Sequence, residues 1–198
     1  MAEHPREIVL LHGVEYHQPP GHWLDRLAGH LRAQGERVSY PQLPEPDEPT
    51  LAHWLEALTT ELAALGGGER VIVCHSLSCM LWLHHCARAT RDQRVDRVLL
   101  VAPPSPSIFW PAVESFRPPA LDPAPVAAAA RSGARLVCSD NDPYCPEGAR
   151  ALFGIPLELE VDLIPGGGHL SEADGYGSWP SITAWCLDDR VRLSGNAS

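Results

Sequence analysis

Ser76, Asp142 and His169 have the residue types and the chain order for nucleophilic catalysis. A serine hydroxyl is a weak nucleophile at neutral pH until a base takes its proton. That base must be oriented, and its charge stabilised, by a third group. Ser76 stands in Arg70-Val71-Ile72-Val73-Cys74-His75-Ser76-Leu77-Ser78-Cys79-Met80-Leu81-Trp82, where an apolar run meets a small polar cluster and then a longer apolar run. The pattern predicts a buried parallel strand turning sharply into a helix, with the serine hydroxyl pushed out above the sheet. The N–H of Leu77 then sits near a helix N-terminus, where developing negative charge is stabilised.

For a serine on such an elbow the expected chain order is Ser, then Asp or Glu, then His. Asp142 lies in Ser139-Asp140-Asn141-Asp142-Pro143-Tyr144-Cys145-Pro146, read as a tight turn after a strand. Asp140 is its rival. Asp142 is preferred because it opens an Asp-x-x-x-Pro run whose proline would start the next helix. His169 follows Gly166-Gly167-Gly168, and glycines let a backbone turn with positive φ and bring an imidazole close to a neighbouring loop. His12-Gly13-Val14 closes the first apolar run, and the N–H of Val14 is a candidate second donor to an oxyanion beside that of Leu77. Tyr16, Phe109, Trp110, Tyr144 and Leu170 flank these loops and are the expected substrate-binding residues.

These residues need a scaffold. Apolar runs predict strands over Glu7–Leu11, Arg37–Tyr40, Val71–Val73, Val95–Val101, Arg135–Ser139 and Leu157–Ile164. Helical spacing predicts helices over His22–Ala33, Thr50–Leu65, Leu77–Ala87, Asp122–Arg131, Pro146–Phe153 and Trp179–Leu187. Ser105–Pro119 reads as a loop with aromatic anchors, and Ser194–Ser198 as a frayed tail. About six alternations of strand and helix imply an α/β fold: a mainly parallel sheet with helices on both faces, in one domain spanning residues 1–198 and without a separate cap domain. In such sheets ligands bind beyond the C-terminal strand ends, where His12, Ser76, Pro103, Asp142 and His169 all fall.

Composition narrows the function classes. The 198 residues are 44% hydrophobic and carry a net charge of −10. Nucleic acid and anionic membrane surfaces both need a basic face, so neither is an expected partner. The first apolar run is too short for a membrane span or signal-peptide core, and the expected location is the cytoplasm. The six cysteines form no CxxC pair and fall mostly in apolar elements, so free buried thiols are expected. The ten histidines show no metal-ligand spacing, and neither a metal nor a cofactor is expected.

Taken together, these stretches resemble the α/β-hydrolase superfamily, and within it the small serine hydrolases of the RBBP9/YdeN type. The resemblance rests on His12-Gly13, His22-Trp23, Cys74-His75-Ser76-Leu77-Ser78, Asp142-Pro143-Tyr144-Cys145-Pro146 and Gly168-His169-Leu170, and covers nearly the whole chain. It implies Ser76 as nucleophile, His169 as general base and acid, and Asp142 as its orienting partner. It also implies a small-molecule ester, or a thioester or amide, as substrate and an acyl-serine intermediate hydrolysed without a cofactor. The departures are Cys74 and Ser78, where the family usually has glycines or other small residues, and they bear on elbow geometry and rate. The competing reading is a weakly active or inactive scaffold serving as a binding or regulatory protein. Retention of Ser76, Asp142 and His169 argues against it.

Overall fold

The computed structural model describes residues 5–196. Six strands form one sheet: β1 (Glu7–Leu11), β2 (Arg37–Ser39), β3 (Arg70–His75), β4 (Arg97–Val101), β5 (Ala134–Ser139) and β6 (Glu160–Ile164). Their order is β2-β1-β3-β4-β5-β6, and every pairing is parallel. Five α-helices connect or follow them: α1 (Trp23–Ala33), α2 (Leu51–Ala64), α3 (Leu77–Cys86), α4 (Pro123–Ala129) and α5 (Pro180–Leu187).

Strand residues alternate between two apolar cores, as a pleat requires. Val9, Leu11, Ile72, Cys74, Leu100 and Cys138 face the core made with α2, α3 and α4. Ile8, Leu10, Val71, Val73, Leu99 and Val137 face the core made with α1 and α5. Both faces of the central strands are covered, which is why β1 and β4, after the charged Glu7 and Arg97 that open them, are apolar and are buried throughout. The strand order reverses between β1 and β3, and that switch point leaves a crevice beyond their C-terminal ends. No helix among the described residues is long and apolar enough to cross a membrane. All six cysteines are buried and unpaired.

Apart from shifts of one or two residues at element ends, the elements differ from the sequence expectation in four places. Pro146–Phe153 is not a regular helix. Gly148 turns left-handed at φ +83°, and a π-helix over Arg150–Gly154 follows, closed by the Ile155 N–H donating to the Arg150 carbonyl at 2.9 Å. β6 begins at Glu160 rather than Leu157, because the N–H groups of Leu157 and Leu159 turn back to the carbonyls of Phe153 and Gly154. The Ser105–Pro119 loop contains two short 3₁₀ turns, Pro106–Ile108 and Pro111–Phe116. The tail is pinned through Asn196: the Ser194 carbonyl accepts from Trp179 Nε1 at 2.7 Å and Ser181 Oγ at 2.9 Å, and Asn196 Nδ2 donates to the Gly175 carbonyl at 2.9 Å. Ala197 and Ser198, the end of the expected tail, lie outside the described residues.

Candidate active site

The strand-to-helix turn is tight. β3 ends at His75, α3 starts at Leu77, and Ser76 between them holds φ 58° and ψ −124°. A non-glycine residue there is strained by about 1–3 kcal/mol, and the surrounding hydrogen bonds must hold it. The Ser76 N–H donates to the Val101 carbonyl at 2.9 Å, and the Ser76 carbonyl accepts from the Cys79 N–H at 2.9 Å. Ser78 takes part as well. Its Oγ accepts from the His75 N–H at 2.9 Å and lies 3.0 Å from the Leu11 carbonyl, to which it can donate. A serine in a glycine's place thus ties the ends of β1 and β3 together. The crowding falls instead on Gly13: a Cβ there would lie 2.8 Å from Ser76 Cβ, so only glycine lets the β1 loop approach this close.

His169 and Asp142 meet Ser76 from the other side. His169 Nε2 lies 3.0 Å from Ser76 Oγ. His169 Nδ1 lies 2.9 Å from Asp142 Oδ2 and 3.0 Å from Oδ1. The carboxylate fixes the tautomer: Nδ1–H donates to Asp142, leaving Nε2 to accept from the serine hydroxyl. Asp142 is buried, and its Oδ1 also accepts from the Tyr144 N–H at 2.8 Å. Asp140, its rival in sequence, is exposed and accepts from the Gly166 N–H at 2.7 Å instead. The backbone carrying His169 is held by several side chains. Asn141 Oδ1 accepts from the Gly168 N–H at 2.8 Å, Ser139 Oγ donates to the Gly168 carbonyl, and Asp174 Oδ2 accepts from the His169 N–H at 3.0 Å. Gly168 sits at φ +60°, and a Cβ there would strike Asp174 Oδ1 at 2.1 Å.

A cavity of about 290 Å³ opens beside Ser76 and His169. Val14 and Leu77 line it, as do Tyr16, Phe109, Trp110 and Tyr144. The Tyr144 ring lies 4.5 Å from that of His169, between centroids. Leu170, the fifth expected pocket residue, is not in the wall. It is fully buried in the α1/α5 core at φ +53°, and its carbonyl accepts from Trp23 Nε1 at 2.9 Å. The left-handed turn that points the His169 side chain toward Ser76 accompanies the burial of the next one.

The serine hydrolase family model matches residues 8–187. The chain belongs to the serine hydrolase family. This serine hydrolase is 22% identical over 178 residues to YdeN of Bacillus subtilis strain 168, a match spanning 89% of the chain and 92% of YdeN. The crystal structure of the B. subtilis ydeN gene product matches with a TM-score of 0.79 at 20% identity, covering 93% of this chain and 97% of that one. Mouse alpha/beta hydrolase domain-containing protein 10 matches with a TM-score of 0.64 at 16% identity, covering 93% and 88%. These likenesses give the α/β-hydrolase fold, and membership of the family places the chain among the hydrolases of that superfamily.

Two further residues of the serine hydrolase wall the cavity without standing out by spacing in the sequence. His75 packs its ring 5.1 Å from that of His169, and its Nε2 lies 3.2 Å from the His169 carbonyl. His22 packs 5.7 Å from His75, and its Nδ1 accepts from the Leu24 N–H at the start of α1. Burial holds both imidazoles neutral, lowering His22 to about 4 and His75 well below the usual histidine range. A pair of His and Trp between a strand and a helix was the available signal, but nothing in it shows that the imidazole faces Ser76. His12 does not face the cavity. It is buried, bonded to the Leu43 N–H at 2.8 Å, and serves the loop behind Gly13. Cys145, close to Asp142, is buried too; burial and the Asp142 carboxylate push its thiol up to about 12, so it carries no thiolate at neutral pH. Among the described residues, no group of three or more His, Cys, Asp or Glu side chains is arranged to hold a metal ion.

Proposed function

We propose that this hydrolase cleaves a small carboxylic ester through an acyl-serine intermediate. Ser76 is the nucleophile, His169 the general base and then acid, and Asp142 the group that orients it. The observation that carries this reading is the continuous chain from Ser76 Oγ to His169 Nε2 at 3.0 Å and from His169 Nδ1 to Asp142 Oδ2 at 2.9 Å. In the first half-reaction His169 Nε2 takes the Ser76 proton as Oγ attacks the ester carbon. The same proton is then given to the departing alcohol. In the second half-reaction His169 takes a proton from water, which attacks the acyl-serine, and returns it to Ser76 Oγ. Asp142 stays ionised and stabilises the imidazolium formed at each step.

The two tetrahedral intermediates need donors for their oxyanion. Leu77 opens α3, so its N–H has no carbonyl one turn earlier to bond, and Val14 faces the same cavity. Assigning both amides to the oxyanion hole gives donors worth about 3 kcal/mol of barrier each. A cavity of about 290 Å³ favours a short acyl or alcohol group. The unpaired buried cysteines fit a cytoplasmic enzyme.

The test is a fluorophosphonate probe followed by peptide mass spectrometry. The expected result is a single phosphonyl adduct on Ser76, absent from Ser76→Ala, together with turnover of p-nitrophenyl acetate and butyrate. A folded wild-type protein that neither labels nor turns over these esters would overturn the proposal and leave a binding role for the scaffold.

A further inference from the structure

Glu15 and Glu172, both exposed to solvent, line the cavity that holds Ser76. They arrive on separate loops. Glu15 follows Val14 on the β1 loop, in a left-handed conformation at φ +55°, with its N–H bonded to the Pro46 carbonyl at 2.7 Å. A glutamate rarely adopts that backbone, and the hydrogen bond to Pro46 holds the loop in it. Glu172 opens the 3₁₀ turn three residues after His169, and its Oε1 leans over Gly21, 3.5 Å from where a Cβ would stand. Among the described residues, neither side chain is in an ion pair.

Arg26 Nη2 approaches the same Gly21 position, 3.8 Å from where that Cβ would stand, and is a cation beside Glu172 outside the wall. All fifteen basic residues of the chain are arginines, and none lines the cavity. The imidazoles of His22 and His75 are neutral, as described above. Tyr16 senses the field: burial, with Asp25 and Glu172 adding to it, pushes its phenol up to about 12. At the same cavity Trp110 and Tyr144 keep 36% and 48% of their surface exposed, two of the four large hydrophobic side chains that are exposed among the described residues. Carboxylates beside aromatic faces attract a cation by charge and by the ring quadrupole, and they repel an anion.

We propose that the pocket selects esters carrying a positively charged group, an ammonium or quaternary ammonium, held by Glu15 and Glu172 against the faces of Trp110 and Tyr144. This rests on the ester-hydrolase reading above and adds the substrate class to it. An ester carrying a carboxylate meets the same two groups and is disfavoured.

The experiment uses two isosteric pairs. Butyrylcholine against 3,3-dimethylbutyl butyrate puts the charge on the alcohol side, and glycine ethyl ester against ethyl propanoate puts it on the acyl side. The quantity read is the ratio of kcat/KM for the cationic member to that for the neutral one, at 10 mM and 500 mM salt. In at least one pair the ratio is expected to reach about tenfold at low salt and to shrink at high salt, since steering by charge is screened. The Glu15→Gln/Glu172→Gln double variant, isosteric with the wild type, is expected to bring that ratio down several-fold relative to wild type, with the melting temperature checking its fold. If neutral esters turn over but neither wild-type ratio exceeds that of the double variant, this inference fails and the hydrolase reading stands. If Ser76 takes no fluorophosphonate and no ester turns over, the hydrolase reading itself has failed.

Discussion

Ser76→Ala, His169→Ala and the double variant are expected to lose kcat by the same factor, about 10⁶-fold, on any ester the wild type cleaves. The equality matters more than the size. Ser76 Oγ and His169 Nε2 share one proton across 3.0 Å, so removing either ends the same event. Two groups acting in separate steps would multiply their losses. Neither substitution empties a core position, because Ser76 is partly exposed and His169 opens onto the cavity. All three proteins should therefore melt near the wild-type temperature. The check is kcat by initial rates with the fold followed by circular dichroism. A double variant far worse than either single would separate the two residues mechanistically and refute the assignment.

Asp142→Asn is expected to lower kcat by about 10⁴-fold while leaving the fold in place. The local bonds fix the direction of the effect. Asp142 Oδ1 accepts from the Tyr144 N–H at 2.8 Å, and an asparagine keeps that bond only with its carbonyl oxygen there. Its NH₂ then takes the place of Oδ2, 2.9 Å from His169 Nδ1. A donor 2.9 Å from Nδ1, nearer than the oxygen at 3.0 Å, favours the tautomer with its proton on Nε2, and an Nε2–H facing Ser76 Oγ cannot accept its proton. Asp140→Asn should behave differently, because the oxygen that accepts from the Gly166 N–H survives the change and no contact with His169 is involved. Measuring kcat for the two variants side by side tests both statements. Equal losses would return the orienting role to Asp140 or share it between the two.

The readable part of this chain was the part governed by short-range rules. Central strands buried on both faces give apolar runs, and helix faces give their spacing, so all six strands, with β6 starting three residues late, and most helix boundaries follow from the sequence. The meeting of Ser76, Asp142 and His169 was legible because each falls just after a strand, and the parallel sheet brings those ends to one edge. Leu170 was misread because flanking His169 in sequence says nothing of direction; its left-handed backbone sends it into the core. The bonds from Asn141, Ser139 and Asp174 to the histidine loop were invisible, since they join segments whose meeting depends on the β5–β6 register. Ser78 looked like a loss of glycine because the pattern records only size, while its value lies in a hydroxyl joining β1 and β3. The π-helix at Arg150–Gly154 replaced a regular helix because a left-handed glycine interrupts the turn that Pro146 was expected to start.

Of the six tryptophans, Trp23, Trp54, Trp82, Trp179 and Trp185 are buried, and only Trp110 is in open contact with solvent. Trp110 also lines the cavity beside Ser76. The intrinsic emission therefore divides into five shielded indoles and one wet indole at the mouth of the pocket. Acrylamide should quench only that fraction, and a ligand that fills the cavity should blue-shift it and protect it. The protein thus carries its own optical reporter of pocket occupancy, one that needs no chromogenic ester and works equally well in the Ser76→Ala variant.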